Sequence, residues 1–177
     1  MSQRPSAAVR RARAAAGSLV FLVVAPGVVA GVVPWALTGW EAASPPPARR
    51  ILGIGGAVLL AAGVVVLLEA FVRFVREGLG TPAPLAPTER LVVGGLYRHV
   101  RNPMYLAIEA TVVAQALLLG RPILLAYAAI LAVAFWAFVR SYEEPTLARR
   151  YGREYEAYRR AVPGWVPRLR PWDPDGA

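Results

Sequence analysis

The chain has 177 residues, of which 56% are hydrophobic and only 18% are charged. This balance is typical of integral membrane proteins and excludes an ordinary soluble domain. The net charge of +9 can indicate nucleic-acid binding, but the arginines flank apolar stretches, so anionic lipid headgroups are the expected partner and nucleic acid is not. With no cysteine and one histidine, the sequence predicts no disulfide framework and no metal site.

Four apolar stretches predict an all-α fold, an integral membrane bundle of about four transmembrane helices. Each is close to the roughly 20 residues that cross a bilayer core, and they cover residues 17–39, 51–74, 104–120 and 122–139. The first resembles a signal peptide but is too long and lacks a convincing cleavage site, so we interpret it as a helix with kinks at Pro26 and Pro34. Gly53, Gly55 and Gly56 indicate close helix packing in the second.

The third and fourth stretches form a predicted hairpin, because Gly120 ends one helix and Pro122 opens the next at a position that needs no amide donor. The layout is one membrane domain over residues 1–177, and it leaves the oligomeric state open. Its parts are a basic tail (1–16), two transmembrane helices (17–74), a cytoplasmic loop (75–103), the hairpin (104–139), a C-terminal helix (140–163) and a tail (164–177).

The arginines predict the orientation of the bundle. All 20 basic residues are Arg, with four in the N-terminal tail, five between residues 73 and 101 and eight between 140 and 170. Only Arg49, Arg50 and Arg121 fall on the other side. By the positive-inside rule, both termini and the central loop are cytoplasmic, in an inner or plasma membrane.

The central loop ends at the polar N-terminus of the third predicted helix, which we call the helix mouth (residues 101–105). Gly94 and Gly95 let the backbone approach another group closely. Arg101-Asn102-Pro103-Met104-Tyr105 then opens the third helix, where unpaired backbone N–H groups attract carboxylates. The simpler interpretation of the loop is a membrane-surface segment whose arginines reach lipid phosphates.

The C-terminal segment predicts an amphipathic helix on the cytoplasmic surface. Its apolar stripe at helical spacing consists of Leu147, Tyr151, Tyr155, Tyr158 and Val162, with most nearby arginines off the stripe. Glu143 lies one turn before this stripe and joins its inward face. Arg140 and Glu144 are four residues apart and fit a simple surface pair, although Pro145 disfavours a helical Glu144.

Two polar side chains fall inside the third apolar stretch. Glu109 and Gln115 are costly in lipid and are expected to face the bundle interior. They fit either a packed pair that bridges helices or a role with the substrate. Glu69, near the cytoplasmic end of the second stretch, is expected to reach the membrane interface.

Several motifs follow one another along the second half of the chain. They are Leu91-Val92, Gly95-x-Tyr97, Arg101-Asn102-Pro103-Met104-Tyr105, Glu143-Glu144-x-x-Leu147, Tyr151-Gly152-x-x-Tyr155-x-x-Tyr158 and Val162-Pro163. In order and spacing they resemble the isoprenylcysteine carboxyl methyltransferase and phospholipid methyltransferase superfamily, whose members are integral membrane enzymes that use S-adenosyl-L-methionine. The first two stretches match only as generic hydrophobic helices.

The resemblance implies a cofactor pocket that faces the cytoplasm. In such enzymes the pocket is formed by the last two transmembrane helices, the loop before them and the C-terminal helix. Leu91 and Val92 would line the adenine side of the cofactor, and Tyr97 would contact it.

The amino-acid end of the cofactor would lie at the helix mouth, against Asn102, Pro103, Met104 and Tyr105. Glu143 matches the first Glu of the family pair and would bind the cofactor's polar groups. The family commonly has His at the position of Asn102, so the resemblance carries over a backbone contact there and leaves the side chain open.

Two further residues have predicted catalytic roles. Methyl transfer from a sulfonium is an in-line displacement that needs alignment more than an acid or base. A carboxylate acceptor is already ionised, and Arg140, near the position where relatives place an arginine against the substrate, would position it. An amine acceptor must be neutral, and Glu109 would accept its proton.

The sequence therefore predicts methyl transfer to a lipophilic acceptor at the cytoplasmic membrane face, with the acceptor arriving from the bilayer and the cofactor from the cytoplasm. The acceptor would be an isoprenylcysteine-like carboxylate, an isoprenoid or a phospholipid amine. Two alternatives are an NADPH-dependent membrane reductase of the sterol type, which has a related Arg-His-Pro-x-Tyr signature, and a non-catalytic membrane scaffold.

Overall fold

The described part of the chain folds into helices joined by short connections. In this computed structural model, the described residues are 16, 20, 23–43, 49–73, 76–77 and 90–173. The regular elements within these ranges are all helical, which confirms the all-α class. Two helices, Arg50–Arg73 and Pro122–Tyr151, are long and apolar enough to cross a membrane, whereas Val23–Thr38 and Pro103–Leu119 are apolar but shorter. Most of the predicted basic tail and much of the loop lie outside the described residues.

We number the α-helices in chain order. They are α1 (Val23–Thr38), α2 (Arg49–Arg73), α3 (Pro103–Leu119), α4 (Pro122–Phe138), α5 (Glu144–Tyr151) and α6 (Arg153–Ala161). A short 3₁₀ helix, Gly95–Arg98, precedes α3. Wider π turns lie within α1 (Val28–Val32) and between α4 and α5 (Val139–Glu143). The long helix Pro122–Tyr151 thus consists of α4, this second π turn and α5. Gly120, with a φ of 58°, ends α3 and Pro122 begins α4, so these helices form a hairpin.

The C-terminal helical segment is divided at Gly152 and not at Pro145. Gly152 has a φ of 52°, which glycine adopts at little cost, and it separates α5 from α6. Glu144 is helical, with φ −57° and ψ −47°, so the expectation of a non-helical Glu144 is wrong. The π turn before it widens the backbone where proline supplies no N–H, and the helix continues.

Close contact between α2 and α3 forms the centre of the bundle. A Cβ added at Gly56 would lie 2.9 Å from a backbone oxygen of α3, and one at Gly63 would lie 2.9 Å from an α3 side chain. Glycine at these positions lets the two helices approach. The packing expected at Gly53 and Gly55 is not found among the described residues, because none of their atoms outside the local backbone of α2 lies within 4 Å of a Cβ at either position. The buried cluster beside this contact consists of Leu67, Phe71, Ala107, Ile108, Val112, Ala128 and Leu131.

α1 attaches to the bundle through its π turn. In this turn the N–H of the residue before Pro34 bonds one carbonyl further back, and Pro34 has no N–H. The carbonyls of Val29 and Ala30 therefore lose their usual helical donors. The Tyr127 hydroxyl of α4 donates to Val29 O at 2.9 Å, and the Gln115 amide of α3 donates to Ala30 O at 2.7 Å. The irregular turn is thus where α1 is held.

Two connections meet at one end of the bundle. Arg121 Nε donates to Glu41 O at 2.9 Å, and Ala43 N donates to Leu119 O at 3.0 Å. The residues after α1 therefore lie beside the turn between α3 and α4. Such an arrangement is what antiparallel neighbouring helices with short connections produce.

At the other end, the segment after α6 lies along the residues before α3. Three backbone hydrogen bonds of 2.9 to 3.0 Å join residues 163–172 to residues 98–101. The His99 ring contributes through Nδ1, which lies 2.8 Å from Arg168 O. The Trp172 and Tyr158 rings lie 5.5 Å apart. This segment, residues 162–173, is called the C-terminal strap below, and it fixes the chain just before the mouth of α3.

Candidate active site

A cavity of about 450 Å³ lies among the six α-helices and the loop before α3. This volume is within the usual range for small-molecule sites. All eight residues that the resemblance assigns to the cofactor line it, namely Leu91, Val92, Tyr97, Asn102, Pro103, Met104, Tyr105 and Glu143. These residues come from separate segments of the chain, so only folding brings them together.

The mouth of α3 presents unpaired donors to the cavity. Asn102 is only 7% exposed, and its Nδ2 is buried without a hydrogen-bond partner in the described part of the chain. Pro103 is the first residue of α3, and the side chain of the preceding N-cap residue, Asn102, makes no capping hydrogen bond to the described residues. A buried donor beside an uncapped helix N-terminus is suited to an oxyanion. Asn102 thus brings an unpaired side-chain donor to the wall of the cavity, next to Gly164 of the C-terminal strap.

Tyr105 and Glu143 form a second polar group on the cavity wall. The Tyr105 hydroxyl donates to Glu143 Oε2 at 2.8 Å. The Tyr105 ring is held in turn, because its centroid lies 4.7 Å from that of Phe135 and 6.3 Å from that of Trp165. The bond fixes the orientation of a carboxylate that can bind cationic or hydrogen-bond-donating groups.

Glu144, the neighbour of Glu143, faces a cluster of arginines. Its Oε1 lies 2.8 Å from Arg101 Nη1, and its Oε2 lies 3.1 Å from Arg140 Nη1 and 3.7 Å from Arg159 Nη2. The Glu144 side chain is 10% exposed, so the expected simple surface pair with Arg140 is in fact part of a buried network. Arg101, for which no separate role was predicted, is the buried partner at 14% exposure.

Tyr97 and Val92 belong to a separate wall built on the end of α2. Both are buried with Ala70 in one apolar cluster. The Tyr158 hydroxyl of α6 donates to Tyr97 O at 2.8 Å. Burial raises the pKa of Tyr97 and of Tyr158 well above the usual tyrosine value, so both rings remain neutral near pH 7.

The paired glycines before Tyr97 pack against charged side chains of α2 and its continuation. Gly94 N donates to Glu77 Oε2 at 3.0 Å, and Arg73 donates to Glu69 at 2.8 Å and to Glu77 at 2.7 Å. A Cβ at Gly94 would collide with Glu77, and one at Gly95 would collide with Glu69 and Arg73. The close approach expected of these glycines is therefore present. Glu69 supports this turn and is paired with Arg73.

The remaining part of the cavity is apolar. We call it the apolar arm, and it is lined by Ala25, Pro26, Val29, Phe71, Ile108 and Phe135. Its walls come from α1, α2, α3 and α4. The cavity therefore joins a polar end, at the mouth of α3, to an apolar end between apolar helices.

Neither predicted catalytic residue is among the described residues that line the cavity. The Arg140 side chain is 61% exposed and is paired with Glu144. Glu109 lies half-buried on α3, and its Oε2 is buried without a hydrogen-bond partner within the described ranges. A packed pair of Glu109 and Gln115 is one of the two predicted alternatives. Instead, the Gln115 amide donates to Ala30 O and Thr111 O.

The cavity also includes residues without a predicted role, among them Thr146 and Arg150. One face of α5 and of the turn before it supplies Glu143, Thr146, Leu147, Arg150 and Tyr151. These positions have the spacing of consecutive helical turns. Counting three and seven residues on from Glu143, in addition to the four and eight that give Leu147 and Tyr151, would have found Thr146 and Arg150. No comparable pattern marks Arg101, which reaches the cavity from the loop.

A sequence model of the family described as phospholipid methyltransferase matches residues 51–154. The match covers more than half of the chain, which therefore belongs to the phospholipid methyltransferase family. It confirms the resemblance seen in the motifs and makes the chain a member of a methyltransferase family. All eight lining residues predicted to contact the cofactor lie inside the matched segment, whereas α1 and the C-terminal strap lie outside it. Searches among curated proteins and among solved structures gave no match.

Proposed function

We propose that the protein is a membrane methyltransferase that uses S-adenosyl-L-methionine and acts on a lipophilic acceptor at the cytoplasmic face. One observation carries this proposal above others. The eight residues assigned to the cofactor by resemblance come from separate segments and line a single cavity. A non-catalytic scaffold gives no reason for these side chains to converge.

The residues present fit the cofactor's chemistry. The Asn102 amide and the N-terminus of α3 would hold its carboxylate, and Glu143, oriented by Tyr105, would hold its amino group. The apolar surface of Leu91, Val92 and Tyr97 would contact adenosine. When bound, S-adenosyl-L-methionine supplies an electrophilic methyl group on a sulfonium centre.

The chain's own contribution to the reaction is alignment and exclusion of water. The apolar arm would hold the hydrocarbon part of the acceptor and direct its nucleophile to the polar end of the cavity. This supports a lipophilic acceptor, whether an isoprenoid, an isoprenylcysteine-like carboxylate or a phospholipid amine. Arg140 is paired with Glu144 and Glu109 lies outside the cavity, so the proposal assigns alignment to the lining residues and not to these two.

The proposed placement has α1 to α4 crossing the membrane, with both termini and the cavity's polar end in the cytoplasm. Two observations support this placement. Most arginines lie on the proposed cytoplasmic side, and the connections after α1 and after α3, which would both lie on the opposite side, are in contact through Arg121 and Glu41 O. The short α5 and α6 would lie at the cytoplasmic surface, with membrane lipids around the four spans. A C-terminal amphipathic helix of this kind would bury Tyr155 and Tyr158 against the loop.

The test is calorimetric titration of the detergent-purified protein with S-adenosylhomocysteine and, separately, with NADPH. We expect S-adenosylhomocysteine to bind and NADPH not to bind. Glu143→Gln removes the charge that would hold the cofactor's amino group, and we expect its affinity to fall at least roughly tenfold, the effect of about 1.4 kcal/mol.

The matched control is Glu154→Gln, which removes the same charge from an exposed position of α6. This variant should bind S-adenosylhomocysteine as the wild type does. Binding of NADPH alone would replace the proposal with the reductase alternative. Binding of neither compound by folded protein would leave the scaffold alternative.

A further inference from the structure

A buried ion pair links the sequence neighbours of two proposed cofactor residues. Arg101 directly precedes Asn102 at the mouth of α3, and Glu144 directly follows Glu143 at the start of α5. Arg101 Nη1 lies 2.8 Å from Glu144 Oε1. The pair therefore joins the two elements that would hold the polar end of the cofactor.

The Arg101 end of this pair is anchored on a third element. Arg101 Nε donates to Val162 O at 3.0 Å, Nη1 also donates to Tyr155 OH at 3.1 Å, and the backbone N–H donates to Pro163 O at 2.9 Å. These partners belong to α6 and the C-terminal strap. Together these hydrogen bonds hold Arg101 in one position.

The surroundings of Glu144 make Arg101 its principal partner. Arg140 and Arg159 also approach this carboxylate, but their side chains are 61% and 35% exposed, against 14% for Arg101. Exposed pairs are screened by water and contribute little, whereas a buried charge that loses its partner is strongly disfavoured. Removal of the Glu144 charge should therefore release Glu144, and with it Glu143, from the anchored Arg101 at the mouth of α3.

We propose that Arg101 and Glu144 are positioning residues that set the separation between Asn102 and Glu143, and so determine how tightly the amino-acid end of the cofactor is held. The proposal rests on the proposed function, because it assigns the pair to the same site. It gives the second Glu of the pair a role distinct from the first. Glu143 would bind the ligand, and Glu144 would hold the binding group in place.

The test compares two ligands on each variant by calorimetry. S-adenosylhomocysteine has the amino-acid end, and 5′-methylthioadenosine has the adenosine and sulfur without it. The wild type should bind S-adenosylhomocysteine more tightly than 5′-methylthioadenosine. In Glu144→Gln we expect the affinity for S-adenosylhomocysteine to fall roughly tenfold or more, since small misplacements of binding groups are costly, and the affinity for 5′-methylthioadenosine to change by less than about twofold.

A merely structural role would weaken both ligands together, and no change in either would also overturn the proposal. The control is again Glu154→Gln, which should preserve the difference between the ligands. If Glu144→Gln does not fold, Glu144→Asp decides by the same criterion, because it keeps the charge and shortens the side chain by one methylene. Wild-type protein that binds neither ligand would instead refute the proposed function, so the two failures are distinguishable.

Discussion

The tyrosines that pack the C-terminal helix against the loop are buried as neutral groups. Tyr97, Tyr155 and Tyr158 are 6%, 2% and 3% exposed. Burial raises the pKa of all three above the usual tyrosine value, and for Tyr155 the nearby Arg101 opposes this effect without cancelling it. A raised pKa means that the proton is held more tightly in the folded state than in the unfolded state. Stability from these groups is therefore complete below pH 10 and is lost as the pH rises beyond it.

The chain is well suited to measuring this loss, because it contains neither lysine nor cysteine to titrate in the same range. We expect the free energy of unfolding to decrease above pH 10 by about 1.4 kcal/mol per pH unit for each buried tyrosine. Tyr158→Phe should make this decrease shallower by about one such contribution. It should also cost about 1 kcal/mol at neutral pH, because the hydrogen bond to Tyr97 O is lost.

The measurement is thermal or denaturant unfolding in detergent from pH 8 to pH 11, in steps of about half a pH unit. Tyr142→Phe, at a residue that is 46% exposed, is the matched control and should leave the slope unchanged. An equal slope in Tyr158→Phe and the wild type would contradict the assignment of Tyr158 as a buried, neutral group.

At the scale of elements, glycine and the π turns decide how the helices fit together. Gly56 and Gly63 remove the side chains that would hold α2 away from α3. The π turn of α1 frees two carbonyls for Tyr127 and Gln115. The irregular backbone of this turn thus allows α1 to form hydrogen bonds with α3 and α4.

The prediction for the α2–α3 contact is a pair of matched variants. Gly56→Ala places a Cβ 2.9 Å from a backbone oxygen of α3, so we expect it to lower the free energy of unfolding by about 1 to 3 kcal/mol. Gly55→Ala places its Cβ more than 4 Å from every described residue outside the local backbone of α2. It should be neutral or stabilising by up to about 1 kcal/mol, because alanine favours the helix. Unfolding of both variants in the same detergent measures the difference, and equal stabilities would contradict the close packing.

At the scale of the whole molecule, the open question is how the bundle lies in the membrane. The chain has no cysteine, so single cysteines can report sidedness without background. Glu41→Cys lies in the connection after α1, where the side chain is 81% exposed, and Glu154→Cys lies on the exposed face of α6.

We expect an impermeant maleimide to label the Glu41→Cys variant in intact cells and the Glu154→Cys variant only after permeabilisation, because arginine-rich segments remain in the cytoplasm. Both variants should be labelled to the same extent in permeabilised cells, which is the control for accessibility of the two cysteines. Labelling of both variants in intact cells, or the reverse pattern, would refute the proposed four-span orientation.

Much of this molecule follows from local sequence chemistry. Apolar stretches of membrane length determine helices, and Gly120 followed by Pro122 determines a hairpin, because each acts through backbone conformation within a few residues. The motifs around Asn102 and Glu143 also predicted the family, and the family model matches the segment that contains them. These features do not depend on the position of distant segments.

Other features required the tertiary structure. Arg101 has no periodic signal, yet it joins the loop to α5, α6 and the C-terminal strap, because a long guanidinium side chain can satisfy several acceptors at once. Arg140 has the expected residue type but turns to Glu144 and away from the cavity. Sequence alone therefore determined the helices and the family, whereas folding decided which charges pair, because ion pairing depends on distances between segments that spacing along the chain does not specify.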